Sequence, residues 1–339
     1  LINLFGDLKV PLLMNNKLFN FLLKIIISLS LMIYLIYNIF DKFDYIFEMI
    51  LNIRLGNIFF AFLILTTVIQ IYRWLLITKK LSPLISYNDI INSFLASTFA
   101  GVILPSSIGF DATRIIMIVK KGVDAKVALI SVILDRISGL FALLLMIIFF
   151  HSYLQFVGYR SEILVLGLWI SVALIVPIIF IFLSSKINVI PKSINSRISF
   201  KLFSNNFVKT LFSCNLGSLI FATSFLIQLL VSFSIFFISQ SLQLEISLWT
   251  CISLVPIIML VSAFPISFSG WGVREGAMIL AFALFSVPSS SALLTSIFFG
   301  LLMSLVGIVC GLLWILNFRW TRIFLSSSDY LVVLFSKFK

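Results

Sequence analysis

Residues 127–150 read VALISVILDRISGLFALLLMIIFF, an unbroken apolar run except for the adjacent pair Asp135-Arg136. An α-helix rises 1.5 Å per residue, so about 20 such residues cross the hydrocarbon of a bilayer. Outward from this run, further spans of the same kind occupy residues 19–40, 57–78, 162–183, 213–238 and 291–316. Of the 339 residues, 61% are hydrophobic and 11% charged, and the mean hydropathy is +1.21. Soluble domains average about 45–50% apolar and about 25% charged. A water-soluble fold of this composition lacks the polar residues to cover its outside, whereas 37 Phe residues suit a surface that meets acyl chains.

The net charge is +12, from 24 Lys and Arg against 12 Asp and Glu. Most basic residues fall between spans, so membrane topology accounts for them before nucleic acid does. Lys79 and Lys80, then Lys120, Lys121 and Lys126, then Lys186, Lys192, Arg197, Lys201 and Lys209, then Arg319 and Arg322 mark one side. The opposite loops hold Lys42, Arg54 and Arg160. Placing the richer loops in the cytoplasm puts both termini there, in what is expected to be a bacterial plasma membrane. The basic loop 184–212 reads as a topology determinant with lipid headgroups as a secondary partner. Arg73, beside Trp74, reads as an interfacial anchor, and His151 as an interface residue. A single histidine excludes a His-rich metal site, and no cofactor is expected. Cys214, Cys251 and Cys310 read as small hydrophobes without a disulfide. Lys24 interrupts the first run, so no cleavable signal peptide is expected, and Leu1 leaves the true start open.

Two further apolar regions, 88–119 and 246–286, are broken halfway by Pro, Gly and Ser. Each reads as two short helices around a break, forming either a re-entrant hairpin or two full spans. The order is span, span, broken hairpin, span, then the same again with opposite orientation. The fold class expected is therefore an all-α polytopic membrane protein with an inverted repeat. It has about six transmembrane helices and two broken hairpins in one domain over 1–339, with repeats at about 19–150 and 162–316. Residues 105–114, PSSIGFDATR, and 265–274, PISFSGWGVR, share Pro, Ser and Arg at equal spacing.

At the first break, Pro105 and Gly109 should interrupt the helix, which resumes near Phe110 and puts Asp111 and Arg114 on one face. At the second, Pro265 precedes Ser269, Gly270 and Gly272, and a helix resuming near Trp271 carries Arg274 and Glu275. Unwound backbone at membrane depth must be enclosed or line a wet cavity. Helix N-termini favour anions, and an arginine fork matches phosphate oxygens. Two breaks facing each other would make a phosphate-sized pocket. Arg114, Arg274, Gly109, Ser269, Gly270 and Gly272 would bind the phosphate, with Asp111, Asp135, Arg136 and Glu275 balancing charge or carrying a proton. The blander reading is that Asp111–Arg114 and Arg274–Glu275 cap helices near the interface and that Asp135–Arg136 is a structural pair locking helices.

At these residues the chain resembles the lysylphosphatidylglycerol synthetase transmembrane-domain family, also called flippase-like. The matching stretches are Leu104-Pro105 through Asp111-x-x-Arg114, Lys121-Gly122, Asp135-Arg136-x-x-Gly139-Leu140, and Pro265-x-Ser267-x-x-Gly270-x-Gly272-Val273-Arg274-Glu275. The resemblance covers roughly residues 15–320. Two positions depart from the family pattern: Phe110 stands where Gly is common, and Asp135 where Glu is frequent. The resemblance implies a lipid-handling membrane domain with paired re-entrant elements. In some relatives this domain moves aminoacylated phospholipid between leaflets and is fused to a soluble transferase. The chain ends soon after its last span, so lipid aminoacylation is not expected. Standalone members are often encoded with glycosyl-transfer systems, which implies polyprenyl-linked or glycolipid substrates and a possible glycosyltransferase or synthetase partner.

The leading expectation is a lipid translocase for a phosphate-bearing lipid with an anionic headgroup, and not an enzyme. There is no G-x-x-x-x-G-K-[ST] motif to bind ATP. The alternatives are a membrane enzyme or subunit acting on polyprenyl-phosphate-linked sugars, or a non-catalytic scaffold.

Overall fold

The computed structural model describes residues 56–103, 107–156, 171, 173, 207, 209–211, 213–263 and 272–324. Within them lie eight helices and no strand. They are α1 (Gly56–Leu81), α2 (Tyr87–Ile103), α3 (Ser107–Val119), α4 (Ala125–Phe156), α5 (Cys214–Ser241), α6 (Leu248–Ser262), α7 (Val273–Ala283) and α8 (Ser289–Phe324). The spans expected at 19–40 and 162–183, the loop 184–212 apart from a few residues, and both termini lie outside the described residues.

Among the described residues, four helices are long and apolar enough to cross a membrane: Phe60–Leu81, Ala125–Phe150, Asn215–Ser241 and Ser289–Asn317. These match four of the six expected spans, and the chain is an all-helical polytopic membrane protein. Both broken regions divide as expected, into α2 with α3 and α6 with α7. At 1.5 Å per residue, α3 is about 20 Å long and α7 about 17 Å, well short of the roughly 30 Å of bilayer hydrocarbon. One expected boundary shifts. The helix after the first break begins at Ser107 and not near Phe110, so Gly109 lies inside α3. Glycine in a helix costs about 1 kcal/mol relative to alanine but does not end it. Here Thr113 also donates its hydroxyl to the Gly109 carbonyl at 2.8 Å.

The ends of the elements show how they run. Asp89, at the start of α2, meets Lys121, just past α3, at 2.6 Å. The outer ends of that hairpin therefore lie together, next to the start of α4. Trp249, at the start of α6, packs its ring 6.3 Å from Phe150 and Tyr153 near the far end of α4. The two broken regions thus begin at opposite ends of the same long helix.

Packing repeats between the halves. The extensively packed partners are α1 with α5, α2 with α8, α4 with α6, α2 with α3, α6 with α7, α3 with α4, α7 with α8, α1 with α2, α5 with α6, α1 with α4, α5 with α8, α4 with α5 and α1 with α8. Exchanging α1 for α5, α2 for α6, α3 for α7 and α4 for α8 turns the α1–α5 pair into itself and every other pair into another of them. Each half's long helix therefore clamps the first arm of the other half's broken region.

The α2–α8 contact depends on small residues. A Cβ on Gly307 would lie 2.3 Å from Val102 Cγ2, and one on Gly311 would lie 2.4 Å from Phe99 Cδ2. Farther along the same antiparallel pair, Asn317 donates to Asn92 at 3.2 Å. Glycines four apart let two backbones approach closely, which in lipid stands in for a hydrophobic drive. Cys251 and Cys310 are buried in the apolar core beside Leu254, Ile258 and Val306.

Candidate functional site

Five charged side chains from α1, α3 and α4 form one alternating chain. Arg73 donates from Nε to Asp135 Oδ1 at 2.8 Å and from Nη1 to the Ser224 hydroxyl at 3.0 Å. Arg114 donates from Nη1 to the other oxygen of Asp135 at 2.9 Å and from Nη2 to Asp111 Oδ1 at 2.7 Å. Asp111 in turn accepts from Arg136, at 2.9 Å from Nη2 and 3.0 Å from Nε. The order is Arg73, Asp135, Arg114, Asp111, Arg136, three cations against two carboxylates.

Local geometry explains each position. Asp111 and Arg114 are three apart on α3 and so share a face, as the sequence indicated. Asp135 and Arg136 are neighbours on α4 and point apart by about 100° of helix turn. They do not pair with one another. Asp135 turns inward and does lock helices, but through Arg73 and Arg114. Arg114 is fully enclosed. The rings of Phe110, Trp74 and Phe94 lie 4.5, 5.1 and 5.5 Å from its guanidinium carbon, where aromatic faces attract a cation. Its Nε and the indole nitrogen of Trp74 are buried without a hydrogen-bond partner. Such atoms cost about 1–3 kcal/mol each, so the ion pairs and ring contacts must outweigh them.

Arg73 is the clearest correction to the sequence reading. It is buried and not an interfacial anchor, because Asp135 sits where α1, α3 and α4 meet and both its oxygens take a guanidinium. Gly139, one turn beyond Asp135, makes the room: a Cβ there would lie 3.3 Å from Arg73 Nη1.

The second network belongs to α7 and α8. Gly272 has φ +85°, a conformation suited to glycine, and begins α7 where the sequence placed the restart. Glu275 reaches back to accept the Gly272 N–H with Oε2. Its Oε1 accepts from Arg274 Nη2 at 2.7 Å and from the Ser296 hydroxyl at 3.1 Å. Arg274 Nε also donates to Ser296 at 3.1 Å, and Phe299 lies 5.6 Å beneath its guanidinium. Arg274, Glu275 and Ser296 are all buried. The corresponding arginines, Arg114 and Arg274, are therefore anchored alike, each on a second broken arm and each bonded to the long helix that follows.

Of the expected site residues, Asp111, Arg114, Asp135 and Arg136 come together in one network, and Gly272, Arg274 and Glu275 in another. Pro105, Pro265, Ser269 and Gly270 lie outside the described residues. Three contributors were not anticipated as such: Arg73, Ser224 and Ser296. A serine in an apolar helix carries no sequence signal of its own. Gly307 and Gly311 did carry one, a small-xxx-small spacing on a spanning helix. No group of three or more His, Cys, Asp or Glu suited to a metal occurs among the described residues.

A family model described as the lysylphosphatidylglycerol synthase TM region matches residues 21–321. No curated protein and no solved structure gives a match.

Proposed function

The chain belongs to the lysylphosphatidylglycerol synthase TM region family, and from that premise we propose that it is a translocase carrying a phosphate-bearing lipid between leaflets. A membrane lipid-related role follows from the family; the movement of lipid is our reading. The observation that carries it is the opposed pair of broken helices, beginning at opposite ends of α4 and each holding a buried arginine on its second arm. Short helices that stop inside the bilayer, paired in opposite senses, are how transporters expose one central site to two sides in turn. The packing exchange between halves supports an inverted repeat, and the lengths of α3 and α7 support re-entrant arms.

In this reading the headgroup phosphate meets Arg114, Arg274 and the first N–H groups of α3 and α7. Both arginines are enclosed in the conformation described. Reaching them requires α3 to part from α4, or α7 from α8, which is the movement that alternating access calls for. The acyl tails stay in lipid throughout. Any energy comes from an ion or lipid gradient, and Asp135 is the carboxylate to test as a proton carrier.

The test is lipid movement in vesicles reconstituted with purified protein. Arg274→Ala should abolish movement of a labelled anionic lipid. Because it also leaves the buried Glu275 without its counter-charge, it should lower the unfolding midpoint. Arg274→Lys, which keeps a charge there but loses the guanidinium fork, should stay folded and still lose most of the movement. Movement at the full rate would remove Arg274 from the site.

A further inference from the structure

We propose that Arg136 is the contact through which the phosphodiester of a membrane lipid first docks at this site. The inference rests on the translocase reading and assigns its entry point. Arg136 lies about 16 Å along α4 from Ala125, near the middle of the span Ala125–Phe150. Its side chain is half exposed there, whereas Arg73, Arg114 and Arg274 are buried. An exposed guanidinium at that depth is costly unless it meets water, a cavity or an anion.

The charge count points to an anion. Asp135 is consumed by Arg73 and Arg114, and Asp111 is shared by Arg114 and Arg136. One positive charge is left over, and it belongs to the end of the chain that is open. Asp111 and the Phe110 ring, 5.4 Å from the guanidinium carbon, hold Arg136 by its Nε and Nη2 edge. Its Nη1 makes no hydrogen bond to the described residues. A singly charged phosphodiester matches the surplus.

The surroundings favour a lipid over free phosphate. Leu129, two turns before Arg136 on the same face of α4, is about half exposed. Ile133 and Leu140, one turn to either side, are partly exposed. The cation thus interrupts an outward apolar stripe, where acyl tails can lie in the bilayer while the headgroup turns inward. At this first contact Arg114 acts by fixing Asp111, before the parting of α3 from α4 brings the phosphate to Arg114 itself.

The test uses the full chain in nanodiscs containing phosphatidylglycerol and phosphatidylcholine, with retained lipid weighed by native mass spectrometry. Wild type should retain phosphatidylglycerol preferentially. Arg136→Ala should reduce that preference about tenfold, as loss of one charge-assisted contact does, and Arg136→Lys should restore part of it. The unfolding midpoint should hold, since the side chain is open. An unchanged preference in Arg136→Ala would overturn the assignment. Displacement of the lipid by inorganic phosphate alone would assign the site to free phosphate and also overturn it. Preference lost in Arg136→Ala while wild-type vesicles move no lipid keeps this contact and removes the translocase. Preference unchanged while Arg274→Ala stops movement does the reverse.

Discussion

Arg73 and Asp135, 62 positions apart in the chain, meet at 2.8 Å inside the helix bundle. The contact ties α1 to α4, and through the other oxygen of Asp135 it ties both to α3. Asp135→Ala leaves the buried Arg73 guanidinium without its carboxylate and Arg114 with only Asp111, which Arg136 shares. Breaking a buried pair in this way costs about 3–5 kcal/mol, so the variant should unfold at markedly lower temperature in detergent. Asp135→Asn separates structure from coupling. A folded variant that moves lipid but ignores a proton gradient would make Asp135 a proton carrier; a destabilised one makes it an anchor.

Gly307→Ala and Gly311→Ala should each destabilise the protein by about 1–3 kcal/mol, the usual cost of forcing a methyl into a filled contact. The added methyls fall on Val102 and Phe99 of α2. In Gly307→Ala, a second change of Val102→Ala should recover much of the loss. Thermal midpoints of the four proteins in that cycle give the coupling directly.

Glu275→Gln removes the charge opposite a buried arginine and weakens the start of α7. Lipid movement should fall at least tenfold even in protein that remains folded, as read in the vesicle assay. Gly272→Ala, at a position held near φ +85°, should lower the unfolding midpoint through about 1–3 kcal/mol of backbone strain.

Acid should loosen the joint between α2 and α3 at their outer ends. Partial burial pushes the Asp89 carboxyl up, but the hydrogen bonds from Lys121 and Ser86 and the Lys121 charge outweigh it and hold it below its ordinary value of 3.8. Its contribution is therefore present above about pH 4 and lost as pH falls through the lowered folded-state value. The pair is largely exposed, so the effect is about 0–1 kcal/mol. Denaturant midpoints of wild type and Asp89→Asn should differ slightly at pH 7 and converge as the pH falls below the lowered folded-state value.

Much of this organisation is legible in the amino-acid order because the bilayer imposes simple rules. Length and hydropathy placed four spans within a few residues, and Pro and Gly placed both interruptions. Side-chain partners across helices follow no such rule. Arg73 lies late in its span, where a long side chain could equally reach the interface, and nothing local says that it turns inward to Asp135. Ser224 and Ser296 look like any small residue in an apolar helix until the neighbouring arginine is placed beside them. Asp135-Arg136 shows the same limit: adjacency suggests a pair, yet one residue of helix rotation sends the two to different neighbours.

The clasp of α2 by α8 and of α6 by α4 has a consequence for biosynthesis. When the ribosome has threaded the first four described helices into the membrane, the glycine-lined surface that receives α2 has not yet been made. The amino-terminal half must wait, incompletely packed, for the carboxy-terminal half to insert. Separately encoded halves should accordingly assemble only when produced in the same cell, and neither should persist alone against membrane proteases.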